Sequence, residues 1–470
     1  MTEGYSDIIL GTQYGDEGKA RVSDGMAKDY DVIARFNGGA NAGHTINHNG
    51  KRIALRQVPS GVFYPDKLLY IGSGCIVNLS KLIHELNELE TSQIEVKDRI
   101  RISSQAGVIQ PHHVLIDIFA GKGVGTTKNG IGPAYADRAM RMWEDRILNI
   151  RVGDLLDSPE RYFDAMKNNF RIASEFYGSH DINIIAEIEG MKISLDTIAP
   201  FVELNPLFLT NKVRGGCKVL FEGAQSFMLD VNKGSVPFVT SSNTIAAAAY
   251  TGGDLPIKYH RKIIGVAKAI MSRVGHGPFA SEFGGAQSEA YCMSVDEENH
   301  PKYNKTIEAQ YNLDRLLTSE DPFEMGKAVR VLSGEYGTVT ARPRRVGALD
   351  LVQLTYAIQT NGIDELVLTK TDLLKIYSRT KQGQIPIVTE YELDGKRINF
   401  VPGTTDAYSR VKAIFEYRPA FSDDITRVRK FEKLPRKLIA LVEEIEDRVG
   451  CKITALGVGP ERNQYIERYK

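Results

Sequence analysis

Short apolar runs recur along the chain, and each run ends in a glycine-rich or polar turn. They cover residues 7–11, 31–36, 69–72, 218–223, 263–267 and 365–369. Continuous runs of this kind, without alternation, are typical of strands that are buried on both faces of a mostly parallel sheet. Stretches with apolar residues at helical spacing accompany them, at residues 79–89, 349–358 and 438–449. The pattern predicts an α/β fold with a mostly parallel central β-sheet and flanking helices.

Nothing in the sequence divides the chain into separate units. It has no internal repeat, no low-complexity tract and no long proline- or serine-rich linker. We expect the glycine-rich residues 121–132 and the charged residues 139–150 to be loops or local excursions. The prediction is therefore one large domain over residues 1–470, with inserted subregions.

The composition excludes several classes of protein. The chain has 470 residues, 42% of them hydrophobic and 25% charged, which is typical of a globular protein. Lys+Arg and Asp+Glu both total 59, so the net charge favours neither nucleic acid nor a membrane as a partner. We find no signal peptide and no run of the roughly 18 apolar residues that a membrane helix needs. The four cysteines lack metal-site spacing and indicate a reducing compartment, so we expect a cytoplasmic protein.

A glycine-rich segment, Gly15-Asp16-Glu17-Gly18-Lys19, follows the first predicted strand and precedes a helical stretch. Its glycines let backbone N–H groups surround an anion at a helix N-terminus. It is not a standard Walker A loop, because Gln13 replaces a glycine and Ala20 offers no hydroxyl group for Mg²⁺. Two acids inside an anion-binding loop are electrostatically costly, unless Asp16 holds Mg²⁺ or takes a proton from the substrate. An ordinary glycine-rich turn with solvated acids is the alternative.

Small residues also follow the second predicted strand, at residues 38–43. They permit close backbone approach, and Asn41 and His44 add a neutral amide and a titratable ring. A lone histidine is usually structural, but this one follows a buried strand at the edge where α/β folds place ligands. The position favours a functional role for His44.

Nine motifs occur in the order found in adenylosuccinate synthetases, so the chain resembles this family and is identified as a somewhat divergent member. In one-letter code they are GDEGK, RFNGGANAGHT, GTTKNGIGPAY, FEGAQ, VTSSNT, RVGHGPF, TARPRR, TKTD and GVGPER, and the resemblance spans residues 8–462. The resemblance implies a single domain with a P-loop-NTPase-like phosphate loop. It also implies a ligase of the AMP branch of purine biosynthesis, which joins L-aspartate to IMP at the expense of GTP. The products would be adenylosuccinate, GDP and phosphate, with 6-phosphoryl-IMP as an intermediate.

The resemblance assigns site residues by position, with one Mg²⁺ ion in each site and GTP as co-substrate. The catalytic residues are Asp16, which would take the N1 proton of IMP, His44, which would donate a hydrogen bond to the developing charge, and Gln225. The GTP-binding residues are Gly15, Asp16, Glu17, Gly18, Lys19, Ala20, Arg21, Gly43, His44, Thr45, Arg344, Lys370, Thr371, Asp372, Gly457, Val458 and Gly459. The IMP-binding residues are Asp16, Lys19, Asn41, Ala42, Gly43, His44, Thr127, Arg141, Gln225, Thr240 and Arg342. The aspartate-binding residues are Thr338, Val339, Thr340, Ala341, Arg342 and Arg344, and the Mg²⁺ ligands are Asp16 and the Gly43 carbonyl.

The chemistry of these residue types suits the implied roles. Asp372 can accept hydrogen bonds from guanine N1–H and the 2-amino group, whereas adenine would leave the carboxylate unpaired at a cost of about 1–3 kcal/mol. The guanidinium groups of Arg342 and Arg344 match carboxylates and phosphates in bidentate fashion. Without the other family motifs, TKTD would be interpreted as a solvated turn and RPRR as an exposed basic loop. In the family, the arginine at position 141 reaches the IMP site of a second subunit, which implies a homodimer.

The chain departs from the family pattern at several positions. Lys128-Asn129 replaces Gly-Arg, Ala20 and Ala341 stand where the family has glycine, and the segment after Arg141 is longer than usual. Two alternatives stay open. One is a related ligase that joins aspartate to dGMP, in which the resemblance places a small hydroxyl residue at the Asp16 position. The other is a non-catalytic GTP-binding switch.

Overall fold

The structure is a computed structural model that describes residues 3–48, 51–120, 128–178, 182–297, 300–337 and 341–469. Its strands are β1 (Ser6–Gly11), β2 (Val32–Arg35), β3 (His44–His48), β4 (Lys51–Leu55), β5 (Leu68–Ile71), β6 (Ile76–Val77), β7 (Ile100–Ser103), β8 (Gly107–Val108), β9 (Met142–Trp143), β10 (Arg146–Ile147), β11 (Val202–Glu203), β12 (Val219–Glu222), β13 (His260–Lys268), β14 (Met271–Arg273), β15 (Arg345–Gly347), β16 (Leu349–Asp350), β17 (Glu365–Thr369), β18 (Gln384–Leu393), β19 (Lys396–Ile398), β20 (Lys412–Pro419), β21 (Lys452–Gly457) and β22 (Tyr465–Glu467).

In chain order, the helices lie mostly between the strands of the main sheet. They are α1 (Lys19–Met26), α2 (Leu79–Thr91), α3 (Pro111–Ala120), α4 (Ile131–Met140), α5 (Val152–Asp157), α6 (Pro159–Tyr177), α7 (Ile184–Ile198), α8 (Phe208–Arg214), α9 (Ala248–Gly252), α10 (Gly285–Met293), α11 (Lys305–Glu308), α12 (Leu313–Leu317), α13 (Pro322–Ser333), α14 (Leu351–Asn361), α15 (Thr405–Ser409) and α16 (Arg436–Val449). No helix in the described ranges is long and apolar enough to cross a membrane.

The largest sheet has ten strands in the order β11-β7-β5-β2-β12-β1-β13-β17-β21-β22. Every neighbouring pair is parallel except β21 and β22. Successive side chains of a strand point to opposite sides of the sheet, so each strand contributes to both faces, and both faces are buried. In β1, Ile8 and Leu10 join one apolar cluster with α14 and α16, while Ile9 joins another cluster with α2, α6 and α7. The predicted α/β fold with a mostly parallel sheet is confirmed.

All six apolar runs form strands of this sheet, as predicted. The helical stretches at 79–89 and 438–449 correspond to α2 and α16. The stretch predicted to start at residue 349 begins only at Leu351, because Leu349–Asp350 pairs with the distant strand β18 and Asp350 then caps α14. Residues 139–150 contain the end of α4 and the short hairpin β9–β10, which is the expected local excursion. Of residues 121–132, which were predicted to form a loop, residues 121–127 lie outside the described residues, and the last two begin α4.

The topology brings the sequence motifs to one edge of the sheet. The chain leaves β1 in the middle of the sheet, with β12 on one side and β13 on the other. Strand order diverges at this point, where open α/β sheets bind ligands beyond the carboxyl ends of their strands. The loops after β1, β2, β12, β13 and β17 therefore meet at a single site.

Candidate active site

The loop between β1 and α1 turns its two acids in opposite directions. Asp16 is exposed and has a left-handed backbone with φ of 58°, between Gly15 and Gly18, whose φ values are 97° and 86°. Glu17 is completely buried. The loop geometry depends on glycine at both flanking positions, since left-handed backbone is strained for other residues. The two carboxylates are adjacent in sequence, but one is exposed and the other is buried, so they have different surroundings.

Glu17 satisfies the interior of the loop. Its carboxylate accepts hydrogen bonds from the Gly15 and Gln13 backbone N–H groups, at 2.9 and 3.2 Å, and from the Ser226 hydroxyl. Lys19 Nζ, itself buried, lies 2.8 Å from Glu17 Oε2. Burial alone would raise the pKa of Glu17, but the charges of Lys19 and Lys268 lower it to about 2. The Glu17 side chain therefore faces the protein, which leaves the backbone of Glu17 for the predicted contact with GTP.

Asp16 is paired with the loop that the sequence assigns to aspartate. Its Oδ2 lies 3.0 Å from Arg344 Nη2, although the two residues are far apart in the chain. Arg344 also lies 3.0 Å from Glu335, a fully buried carboxylate that the sequence analysis did not single out. The phosphate loop and the arginine-rich loop are therefore in direct contact.

Glu335 is the centre of a buried charge cluster. It accepts a hydrogen bond from Ser272 at 2.8 Å and forms an ion pair with Lys370 of the TKTD motif. The buried ammonium group of Lys268 donates to Ser272 at 2.6 Å and to the Gly15 carbonyl at 2.8 Å. Burial would raise the pKa of Glu335, but Lys370, Lys268 and Arg344 hold it far below its usual range. Burial also lowers the pKa of Lys268 to about 8.

The TKTD motif and the segment 457–459 are joined to the phosphate loop. Thr369 donates to the Glu17 carbonyl at 2.7 Å, and Thr371 donates to the Gly457 carbonyl at 2.9 Å. Arg21 donates to the Gly459 carbonyl and carries its charge near Asp372. Burial raises the pKa of Asp372, against the opposing effect of Arg21. These hydrogen bonds hold the TKTD motif, residues 457–459 and the phosphate loop next to one another.

The loop after β2 meets the loop after β12. The Asn37 side chain accepts from Ala224 N–H at 2.8 Å and donates to the Ala224 carbonyl at 3.3 Å. Gln225 follows with a left-handed backbone, φ of 55°, and its amide oxygen and nitrogen are both buried with no hydrogen-bond partner in the described structure. A buried amide without partners costs about 1–3 kcal/mol, so its geometry favours a ligand at this point. Asn41 accepts from Gly39 N–H at 3.2 Å.

His44 begins β3 and is buried against two charged residues that also lie at strand ends. Its Nδ1 contacts Glu222, the last residue of β12, and lies 3.4 Å from Arg35, the last residue of β2. Arg35 and Glu222 are directly paired across these neighbouring strands. Arg35 and Glu222 are charged residues at the ends of buried apolar runs. Their charge at that position is the sequence signal that could have identified them.

The arginine-rich loop is described only in part. Residues 338–340 lie outside the described residues, so the predicted aspartate contacts of Thr338, Val339 and Thr340 are not placed, and the same holds for Thr127. Arg345 is buried in ion pairs with Glu282 and Glu289. Ala341 has φ of 52°, which explains why glycine suits this position.

Arg141 differs from its neighbour Arg138. It ends α4 with φ of 68° and is exposed, and its side chain has no partner within the described ranges. Arg138 instead donates to the Ser73 carbonyl at 2.8 Å. Met142 and Trp143, beside Arg141, are 52% and 48% exposed. The Arg141 side chain is thus exposed and is not held by the described residues, whereas Arg138 is.

Two hard oxygen donors at the site fit Mg²⁺. The Asp16 carboxylate is about one-third exposed, and the Gly43 carbonyl accepts no hydrogen bond from the described residues. Magnesium binds one or two protein oxygens and completes its shell with water and substrate phosphates. The donors predicted from the sequence are therefore chemically suitable.

A second cluster of metal-ligand side chains is better explained by hydrogen bonding. His112 and His113 both place Nε2 on Asp137 Oδ2, at 2.7 and 3.0 Å. The Gln110 N–H donates to His113 Nδ1 at 3.0 Å, so the neutral ring carries its hydrogen on Nε2 and donates it to Asp137. This cluster fastens α3 to α4.

The comparisons with known proteins agree with the geometry. The family model described as adenylosuccinate synthetase matches residues 8–466. Adenylosuccinate synthetase 2 of Cupriavidus pinatubonensis is 44% identical over 98% of this chain and 97% of its own length. Adenylosuccinate synthetase of Streptococcus gordonii is 37% identical over the same shares of the two chains.

Two solved structures are similar to the fold. Fully ligated adenylosuccinate synthetase from Plasmodium falciparum matches with a TM-score of 0.82 and 28% identity, over 99% of this chain and 100% of that chain. Succinoaminodeoxyadenylate synthetase of cyanophage S-2L, bound to dGMP and dATP, matches with a TM-score of 0.59 and 16% identity, over 100% and 97%. The second likeness extends to the fold alone.

The Glu335 cluster generates a stability prediction. Glu335→Gln keeps the side-chain volume but removes the charge, which leaves Lys370, Lys268 and Arg344 without their buried counter-ion. We expect a loss of about 3–5 kcal/mol, measured as a shift of the urea unfolding transition. Glu320→Gln is the control, because Glu320 pairs with Lys381 on the surface, and it should leave the transition unchanged. Equal shifts for the two variants would contradict the central role of Glu335.

Proposed function

The chain belongs to the adenylosuccinate synthetase family and is a GTP-dependent ligase that joins L-aspartate to IMP, and we propose that the candidate active site performs this reaction through Asp16, His44 and Gln225. The products are adenylosuccinate, GDP and phosphate. The observation that carries the proposal is the ion pair between Asp16 and Arg344, because it joins the phosphate loop to the loop that would bind aspartate.

Asp16 is suited to be the general base. Its carboxylate is exposed at the carboxyl edge of the sheet, while the neighbouring Glu17 is fully occupied inside the loop. Asp16 would take the proton from N1 of IMP, so that O6 becomes nucleophilic. O6 then attacks the γ-phosphorus of GTP, the bond to the β–γ bridging oxygen breaks, and GDP leaves.

The 6-phosphoryl-IMP formed in this way makes the ligation possible. Phosphorylation turns O6 into a good leaving group, and the amine of aspartate displaces phosphate from C6. His44 would donate a hydrogen bond to the charge that develops at O6 or at the β–γ bridge. Gln225, whose amide lacks protein partners, would bind IMP beside the loop after β2, with Asn41, Ala42, Thr127 and Thr240 as further contacts.

GTP is held by loops on the other side of β1. Asp372 would pair with guanine N1–H and the 2-amino group, and residues 457–459 would flank the base. Backbone N–H groups of residues 15–18, with Lys19, would meet the phosphates. Mg²⁺, held by Asp16 and the Gly43 carbonyl, would offset phosphate charge.

Aspartate would be bound by the arginine-rich loop. Arg342 and Arg344 carry the guanidinium groups that match its carboxylates, and Thr338, Val339, Thr340 and Ala341 complete the proposed contacts. Arg344 pairs with Asp16 and Glu335 in the structure, and its pair with the proposed general base supports this role.

We further propose a cytoplasmic homodimer in which residues 1–470 of each chain form one domain. Arg141 supports the dimer, since it is exposed and unpaired in the described structure beside the exposed Met142 and Trp143. An arginine at such a position can enter the IMP site of a partner subunit.

Substrate dependence tests the reaction. We expect GDP to form only when IMP and aspartate are both present, with IMP preferred over dGMP and GTP over ATP, in a coupled assay that follows adenylosuccinate absorbance. Asp16→Ala should lower the rate by at least about 10²–10⁴-fold, because general-base catalysis is lost. Asp66→Ala removes an exposed surface carboxylate and should leave the rate unchanged. GTP hydrolysis that ignores IMP and aspartate would favour a switch, and preference for dGMP would favour the other ligase.

Subunit mixing tests the role of Arg141. Arg141→Ala should mainly raise the KM for IMP, measured by initial rates. At an IMP concentration well below the raised KM, mixing Arg141→Ala with Asp16→Ala should restore about a quarter of wild-type activity, because half of the dimers are mixed and each has one intact site. Mixing Asp16→Ala with His44→Ala is the control, since both residues belong to the same subunit's site, and it should restore nothing. Mixed dimers without recovered activity would show that Arg141 acts within its own subunit.

A further inference from the structure

Two segments form the base of the arginine-rich loop, residues 335–337 and 341–344. They run side by side in opposite directions, because the Gly337 N–H donates to the Arg342 carbonyl at 2.8 Å and an antiparallel β-bridge lies beside this hydrogen bond. The guanidinium groups that would bind aspartate, those of Arg342 and Arg344, belong to the second segment. A residue that holds both segments therefore sets the position of these two arginines.

A buried ion pair lies next to this loop base. Glu308 of α11 is 0% exposed, and Arg330 of α13 is 1% exposed. The pair is bidentate, with Arg330 Nε 2.9 Å from Glu308 Oε2 and Arg330 Nη2 2.6 Å from Glu308 Oε1. Replacing a buried ion pair by apolar residues is often neutral or even stabilising, so stability alone does not account for this one.

The pair contacts both segments of the loop base. The Tyr336 hydroxyl, in the first segment, donates to Glu308 Oε2 at 2.5 Å. Arg330 Nη1 donates to the Arg344 carbonyl, in the second segment, at 3.3 Å. Because the guanidinium group is planar and rigid, its two bonds to Glu308 fix the direction in which Nη1 points. One carboxylate and one guanidinium group thus join the two segments.

Arg344 is held through its backbone as well as through its side chain. Its carbonyl accepts from Arg330, while its guanidinium group lies 3.0 Å from Asp16 Oδ2. Helix α11 adds a second backbone contact to the same segment, because the Lys305 N–H donates to the Ala341 carbonyl at 3.3 Å. These backbone contacts set the point from which the Arg344 side chain reaches Asp16.

We propose that Glu308 and Arg330 are positioning residues for the aspartate substrate: the pair holds both segments of the loop base, so that Arg342 and Arg344 present their guanidinium groups to the substrate carboxylates. Both residues are buried and act through the loop backbone. The inference rests on the proposed function, in which this loop binds L-aspartate. It adds two residues that none of the sequence motifs contains.

Arg330→Lys tests positioning without removing the charge. Lysine keeps a positive charge beside Glu308, but its single ammonium group lacks the fork that reaches Glu308 and the Arg344 carbonyl together. We expect the KM for L-aspartate to rise at least about tenfold, because a displaced loop binds this substrate poorly. The KM values for IMP and GTP, and kcat at saturating aspartate, should change less than about twofold. Initial rates are followed by adenylosuccinate absorbance.

Glu308→Gln provides the second test, and we expect the same selective rise in the KM for L-aspartate. Glu446→Gln is the matched control, because Glu446 of α16 is also buried and pairs with Arg468 at 2.9 Å. Both variants should unfold at lower urea concentration, but Glu446→Gln should keep the wild-type KM. If Glu308→Gln does not fold, Tyr336→Phe takes its place, since it removes only the hydroxyl that donates to Glu308, and should raise this KM at least about threefold.

Two results would overturn the inference. One is an unchanged KM for L-aspartate in Arg330→Lys or in Glu308→Gln, and the other is an equal rise in the KM values for all three substrates, which a merely structural pair would give. Either result leaves the wild-type requirement for IMP and aspartate intact, so it would reject the role of the pair without rejecting the proposed function.

Discussion

The buried carboxylate of Glu335 connects the loops that would bind three different substrates. It pairs with Arg344 of the arginine-rich loop and Lys370 of the TKTD motif, and reaches the phosphate loop through Ser272 and Lys268. A buried charge that loses its partners costs several kcal/mol. The three loops are therefore constrained to one arrangement, and Arg344 is held where it can meet Asp16.

The same principle recurs around β1. Other buried acids near the site also lie beside cations, as Glu17 lies beside Lys19 and Glu222 beside Arg35. Asp16 differs from them, because its side chain is exposed and pairs with Arg344 across two loops. The two acids of the loop thus differ: Glu17 is buried and holds the loop in shape, and Asp16 is exposed. This arrangement would leave Asp16 accessible to IMP, as proposed, without exposing phosphate to a second free carboxylate.

The fold could be predicted further from sequence than the site. Continuous apolar runs identified six strands, since burial on both faces leaves a strong local signal. The start of α14 was misplaced because Leu349–Asp350 is recruited by a strand that follows much later in the chain. The order of the family motifs identified Asp16, His44 and Arg344, but not the buried residues that contact them. Glu335 has no spacing pattern, and its importance arises only when distant loops meet. Arg35, Glu222 and Lys268 did leave a trace, as charges at the carboxyl ends of apolar runs.

The central chemical claim is that O6 of IMP attacks the γ-phosphorus of GTP. IMP labelled with ¹⁸O at position 6, reacted with aspartate and GTP, follows that oxygen directly, and the released phosphate is analysed by mass spectrometry or by the isotope shift in its ³¹P spectrum. We expect one ¹⁸O atom in each phosphate released with adenylosuccinate, because C6 loses its oxygen to the phosphoryl group. Unlabelled phosphate, formed in step with adenylosuccinate, would contradict activation at O6.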